Sequence, residues 1–215
     1  WQTNVDLILG KDTFSYTADL NADLTATQSV LPEPFNTAAG TSLPLNIQSS
    51  GNLTASNVNA TLGEDIRFTG TLPHKEMQFS RAHLALGESD IANIGTGFSI
   101  AANLDNANVK EWFTTISMLT SGNQQQASSS EELSSSKAAN ASSSSSEPTR
   151  NGLFGTPSRI FAKASELTFA GHAINDVQIN AQERNNNWLL DIGSAAARGT
   201  ILVNGNLAQQ GIEIN

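Results

Sequence analysis

Cysteine is absent from the 215 residues, which removes disulfides, thiolate-bound metal and thiol catalysis together. Charge is scarce. Asp, Glu, Lys and Arg make up 14% of the chain, against about 25% in a typical soluble domain. Basic charge is scarcer still: 11 Lys and Arg face 20 Asp and Glu, for a formal net charge of −9. Such a surface repels a phosphate backbone, so nucleic acid is not an expected partner. It also offers anionic lipid headgroups no electrostatic anchor. Lipid tails ignore charge and stay open as partners. Long hydrophobic runs are missing too, and no stretch approaches the roughly 18 apolar residues of a spanning helix. The sequence starts at Trp1 with neither an initiator Met nor a signal peptide, and is expected to be a piece of a longer protein.

The usual catalytic signatures are also missing. The chain has no G-x-S-x-G elbow, no phosphate-binding loop, no G-x-G-x-x-G and no H-E-x-x-H. His74, His83 and His172 are far apart and show no metal-ligand spacing. Gly87-Glu88-Ser89-Asp90 could form half of a cation site, but it fits turn chemistry better and has no second carboxylate cluster beside it. Dispersed carboxylates such as Asp19, Asp23, Glu64 and Asp65 lack the paired spacing of glycan hydrolysis. Three glycosylation-type triplets, at Asn52, Asn59 and Asn140, are expected by chance in a chain so rich in Asn, Ser and Thr. The expectation is a protein that is not an enzyme and holds no metal or cofactor.

What the sequence has in abundance is alternation. Phe14, Tyr16, Ala18, Leu20, Ala22 and Leu24 share one side of a period of two, with Asp19, Asn21 and Asp23 on the other. This predicts a long half-buried strand. The pattern recurs at Ile66, Phe68 and Leu72, at Phe98, Ile100 and Leu104, at Val177 and Ile179, at Trp188, Leu190 and Ile192, and at Ile201 and Val203. It slips by one between Phe79 and Ala82 and again between Ala164 and Leu167, which predicts β-bulges. Turn residues at Gly10-Lys11-Asp12, Gly63-Glu64-Asp65, Gly87-Glu88-Ser89-Asp90 and Asn185-Asn186-Asn187 separate the strands. With short connections, an antiparallel meander is expected. One helix is predicted near 107–119, capped by Asp105 or Asn106, with Val109, Trp112, Phe113 and Ile116 at helical spacing. Twelve of the thirty residues from Ser121 to Arg150 are Ser, too polar to offset the entropy of ordering them. The expected organisation is a sheet segment with its helix over 1–120, a disordered insertion over 121–152, and the same sheet resumed over 153–215. Alternation cannot say what covers the apolar face. It fits the core of a two-sheet sandwich as well as a surface that meets lipid.

Several segments resemble one family in the order expected of it. Leu31-Pro32-Glu33-Pro34-Phe35-Asn36-Thr37-Ala38-Ala39-Gly40 followed by Leu43-Pro44-Leu45 is similar to a segment of YhdP-like proteins, members of the AsmA-like group related to TamB. Leu84-Ala85-Leu86-Gly87, Gly97-Phe98-Ser99-Ile100, Val109-Lys110-Glu111-Trp112, Asn187-Trp188-Leu189-Leu190-Asp191-Ile192-Gly193-Ser194 and Arg198-Gly199-Thr200-Ile201 follow in register. The resemblance implies a mainly β fold: a long, twisted, mostly antiparallel sheet forming an open gutter, with one short helix. It implies a periplasmic segment of a Gram-negative envelope protein that is anchored in the inner membrane when complete. It further implies an apolar groove that carries phospholipid acyl chains toward the outer membrane and supports its barrier, with proteins of either membrane as further partners. The groove would be lined by Phe14, Tyr16, Leu20, Leu24, Ile66, Phe68, Phe98, Ile100, Phe169 and Trp188. The alternative is a β-rich scaffolding module that captures envelope proteins by edge-strand addition.

Overall fold

The computed structural model describes residues 1–11, 13–89, 95–120, 153–185 and 187–204. The expected insertion at 121–152 lies outside the described residues, as does Asp90 of the candidate cation turn. The strands are β1 (Gln2–Leu9), β2 (Phe14–Asp23), β3 (Pro44–Asn52), β4 (Ala55–Leu62), β5 (Ile66–Pro73), β6 (Arg81–Gly87), β7 (Gly97–Asn108), β8 (Pro157–Phe169), β9 (His172–Arg184), β10 (Asn187–Gly193) and β11 (Arg198–Asn204). Helix α1 (Val109–Thr120) follows β7 directly. All eleven strands belong to one sheet, and their spatial order is their sequence order. Among the described residues there is no second sheet, so the sandwich reading of the apolar face falls.

Eight of the ten strand pairings are antiparallel, most of them joined by short turns, with the long connection from Leu24 to Leu43 between β2 and β3 as the exception. The exceptions are β6–β7 and β7–β8, which are parallel. A parallel neighbour requires the chain to return along the sheet before pairing. Between β7 and β8 that return includes α1. The meander expected from turn spacing is therefore interrupted at the middle of the sheet.

Positive backbone angles mark the turns the sequence announced: Gly63 (φ 62°), Gly87 (φ 69°) and Asn185 (φ 54°). Gly87 is fixed twice over. A Cβ there would collide with the backbone oxygen of Asn103, its partner on the parallel strand β7. The helix cap differs from expectation: the Asn108 side-chain oxygen accepts the Lys110 N–H at 3.0 Å, so the cap sits two or three residues later than predicted. Asn108 ends β7, and its short polar side chain satisfies a helix N–H that has no carbonyl partner.

The two phase slips resolve differently. Met77 (φ 51°, 64% exposed) and Phe79 lie in the β5–β6 connection rather than in a strand, so that slip is a loop and not a bulge. The slip after Ala164 is a strand irregularity. The β8–β9 ladder passes from Ala164–Val177 to Glu166–Asn175, omitting Ser165 and Asp176, and Asp176 has φ 52°. β7 skips Asp105 at the same level. Three neighbouring strands thus change phase together, which keeps Ala107, Leu167 and Ile174 packed with Ala164 and Val177. A further bulge, which alternation does not reveal, sits at Ser158. Its hydroxyl donates to the Phe98 carbonyl at 3.1 Å while the register shifts between Phe98 and Ser99.

Candidate functional site: a continuous apolar face

Cross-strand register converts eleven separate alternations into one surface. A single row of directly opposed residues crosses the whole sheet: Thr3, Leu20, Ile47, Ala60, Phe68, Leu84, Ile100, Ile160, Ala181, Leu190 and Ile201. All but Thr3 are apolar. Two residues along, a second row runs Ala22, Leu45, Leu62, Ile66, Leu86, Ala102, Ala162, Ile179, Ile192 and Gly199, without a polar member. Ten inter-strand spacings of about 4.8 Å give the longer row a span of roughly 48 Å. The opposite face reads Asn4, Asp19, Gln48, Asn59, Thr69, His83, Ser99, Arg159 and Gln182 across nine strands. The contrast between the faces persists because side chains alternate along the stretch of each strand that the rows cross, and register keeps those stretches in phase.

Cover over the apolar face is uneven. Above β5–β8 it is capped by rings from other segments. Phe154, just before β8, lies 5.5 Å from Phe68, 5.3 Å from Phe79 and 5.7 Å from Phe98 between ring centres. Phe35, from the β2–β3 connection, meets Trp112 of α1 edge-on at 5.7 Å. Beneath them Phe98 is 8% exposed, Ile100 4% and Ala82 0%. Gly70 makes room for this cluster, since a Cβ there would stand 2.7–2.8 Å from the Phe79 and Phe68 rings. Among the described residues no such cap forms over β2–β4, where Leu20, Ile47 and Ala60 are half-buried. On β1 the apolar residues stand open, with Val5 53%, Leu7 60% and Leu9 76% exposed.

The ten residues named from sequence fall as follows. Phe14, Tyr16 and Leu20 are half-buried on β2, and Leu24 lies just past its end. Ile66 and Phe68 on β5 are half-buried, Phe68 within the aromatic cluster. Phe98 and Ile100 on β7 are buried under that cluster. Trp188 on β10 is buried, 6% exposed. Phe169 closes β8 opposite His172. The capping rings Phe35, Phe79 and Phe154 are not among them: Phe35 and Phe154 belong to no alternating run, and Phe79, in phase with Met77 only, sits in the β5–β6 connection. The Leu31-Pro32-Glu33-Pro34-Phe35 motif does mark one of them: Leu31 and Phe35 both pack into the central core.

One polar network interrupts the rim of this face. The His74 Nδ1 lies 3.2 Å from the Leu53 carbonyl, so it must donate. In the neutral ring its Nε2 then accepts from the Ser56 hydroxyl at 2.8 Å. Ser56 in turn accepts from the Tyr16 hydroxyl at 2.5 Å, and the Tyr16 oxygen accepts from Ser49 at 3.0 Å. Every donor in this network has an acceptor. A Ser–His contact can activate a nucleophile. Here Ser56 is 6% exposed and its oxygen is engaged by Tyr16, so the arrangement clamps Tyr16 over Gly51. A Cβ at Gly51 would meet the Tyr16 ring at 2.7 Å. Among the described residues no group of three or more His, Asp and Glu side chains gathers as a metal site. No helix among them is long and apolar enough to cross a membrane.

Neither a curated protein nor a solved structure matches the chain. A family model does, described as YhdP protein and covering residues 1–215. The order of the sequence motifs and the single open sheet agree with that match, and the chain belongs to the YhdP family.

Proposed function

We propose that the apolar face is a track for phospholipid acyl chains, in a cell-envelope protein that passes lipid between the inner and outer membranes of a Gram-negative bacterium. The observation that carries this reading is the pair of unbroken apolar rows running across the sheet. An acyl chain in water costs about 0.8 kcal/mol per methylene, on the order of 12 kcal/mol for about sixteen carbons. A track removes most of that barrier only if no polar step interrupts it. Where rings cap the sheet, the tail meets those rings instead of the strands. The headgroup stays in water along the open side.

The test is lipid analysis of the purified full chain. Wild-type protein should carry phospholipid through purification. Ile47→Lys, which puts an ammonium into the longer row where no ring caps it, should lose most of that lipid while melting within a few degrees of wild type. Lipid-free wild-type protein would defeat the proposal.

A second reading has its own observation. Strand β1 is exposed along all eight residues, and among the described residues nothing pairs with its outer edge. Such an edge can take an additional strand from a partner. Capture of one specific envelope protein by lipid-free chain, abolished by a Pro at Val5, would favour this scaffold reading.

A further inference from the structure

The polar face holds an arrangement that the lipid track leaves unused. Two cross-strand rows lie side by side there on β7–β11. The first runs Ala101, Phe161, Asn180, Asp191 and Thr200, and the second Asn103, Lys163, Gln178, Gly193 and Arg198. Together they line one open cleft of about 700 Å³. Four inter-strand spacings make it roughly 19 Å long. Ala101 and Gly193 keep its floor low, while Phe161 stands in it 43% exposed. A large ring left this open to water between Arg159 and Lys163 is only partly used by the fold. It is a free aromatic face in a polar setting.

Three properties of the cleft select a ligand class. The amides of Asn103, Gln178 and Asn180 each donate and accept, which suits hydroxyl groups that do the same. The lining charges balance, Lys163 and Arg198 against Glu88 and Asp191, so neither an anion nor a cation is favoured. Strands β7–β10 are paired on both sides, so their backbone offers no ladder hydrogen bonds to a peptide. What remains is a neutral ligand rich in hydroxyls, with an apolar C–H surface to lay on a ring.

We propose that this cleft binds an uncharged oligosaccharide, one sugar ring stacked on Phe161 and neighbouring hydroxyls bonded to Asn180, Gln178 and Asn103. The polarised C–H groups of a sugar face the electron-rich face of the aromatic ring. The Asp191 carboxylate already accepts from Thr200 at 2.7 Å, which holds it at one wall as a fixed acceptor. This site is independent of the lipid track, which lies on the other side of the sheet.

The test is titration of the full chain with chitotetraose and with cellotetraose, followed by amide chemical shifts. At least one should bind saturably, with shifts concentrated on β8–β10. Phe161→Ala, at an exposed position and checked for folding by circular dichroism, should weaken binding about tenfold or more. Phe161→Trp should restore it, and Asn180→Ala should weaken it less. Ile47→Lys on the opposite face should leave it unchanged, separating this site from the lipid reading. The proposal is overturned if wild-type chain binds neither sugar, if Phe161→Ala binds as well as wild type, or if inorganic phosphate or a heparin tetrasaccharide competes for the same shifts more tightly than either neutral sugar.

Discussion

Two lysine substitutions on the same face, one under the ring cap and one outside it, should have opposite fates. Phe98 pairs with Ala82, which is fully buried, and lies under Phe154 at 5.7 Å. Lysine there loses the ring's burial, roughly 3–5 kcal/mol, and strands an unpaired ammonium that costs several kcal/mol more. Domain stabilities run about 5–15 kcal/mol, so Phe98→Lys should unfold the chain or leave it marginal. Were the face an open groove along its whole length, Phe98, whose strand alternates most cleanly, would be the site where a lysine snorkels to water. Phe154 closes that route. At Ile47, half-buried and outside the ring cap, the lysine stem lies along Ile47's apolar neighbours and its ammonium reaches water. The loss there is about half the full burial of an aliphatic side chain, roughly 1 kcal/mol. Urea unfolding followed by far-ultraviolet circular dichroism measures both. Equal destabilisation at the two positions would show that β3 is capped like β7, and would refute the division of the face into covered and open regions.

Gly87→Ala forces a Cβ into the Asn103 carbonyl and a side chain into a left-handed angle. The conformational strain alone is about 1–2 kcal/mol, so the midpoint of urea unfolding should fall clearly, whereas Gly40→Ala, also left-handed but with open space around it, should cost only that strain. Tyr16→Phe removes the donor to Ser56 and should cost about 1 kcal/mol, measured by the same unfolding. Asp23 accepts from Thr25, Ser42 and the Leu43 N–H, and these bonds, the Thr25 hydroxyl first, hold its carboxyl below the ordinary range. A lowered folded value means its stabilisation is complete above the ordinary carboxylate pKa of about 3.9 and is lost as pH falls through the lower folded value. Amide protection in the β2–β3 connection, taken relative to the intrinsic exchange rate at each pH, should therefore fall in acid below that range, and Asp23→Asn should abolish that fall.

Most of the strands are legible in the sequence because each carries its own period of two: Phe14–Ala22, Phe98–Leu104 and Trp188–Ile192 are β-strands on that ground alone. The register between them is not, since any strand could slide by two residues without changing its own pattern. The cap over β5–β8 is hidden for a related reason. Phe154 stands in a short irregular stretch without a period, and the brief alternation of Met77 and Phe79 belongs to a loop that folds back rather than to a strand. The parallel pairings escape a reading of turns because turn chemistry reports where a strand ends, not which way the chain travels to reach the next one. Phe161 is the opposite case. It alternates against its own strand, an apolar residue in the polar phase between Ile160 and Ala162, and that discord is plain in the order of the residues themselves.

Because the apolar rows run across the strands, their length is set by how many strands there are and not by how long each one is. Leu20 stands beside Ile47, Ile47 beside Ala60, and Ala60 beside Phe68. Excising the β3–β4 hairpin would bring Leu20 directly against Phe68, still antiparallel and still in phase. The apolar face thus grows or shrinks in whole hairpins, about 10 Å at a time, at the expense of a single apolar residue per strand per row. An apolar face built this way can be lengthened or shortened by duplication and deletion of hairpins, with no residue redesigned at the seams.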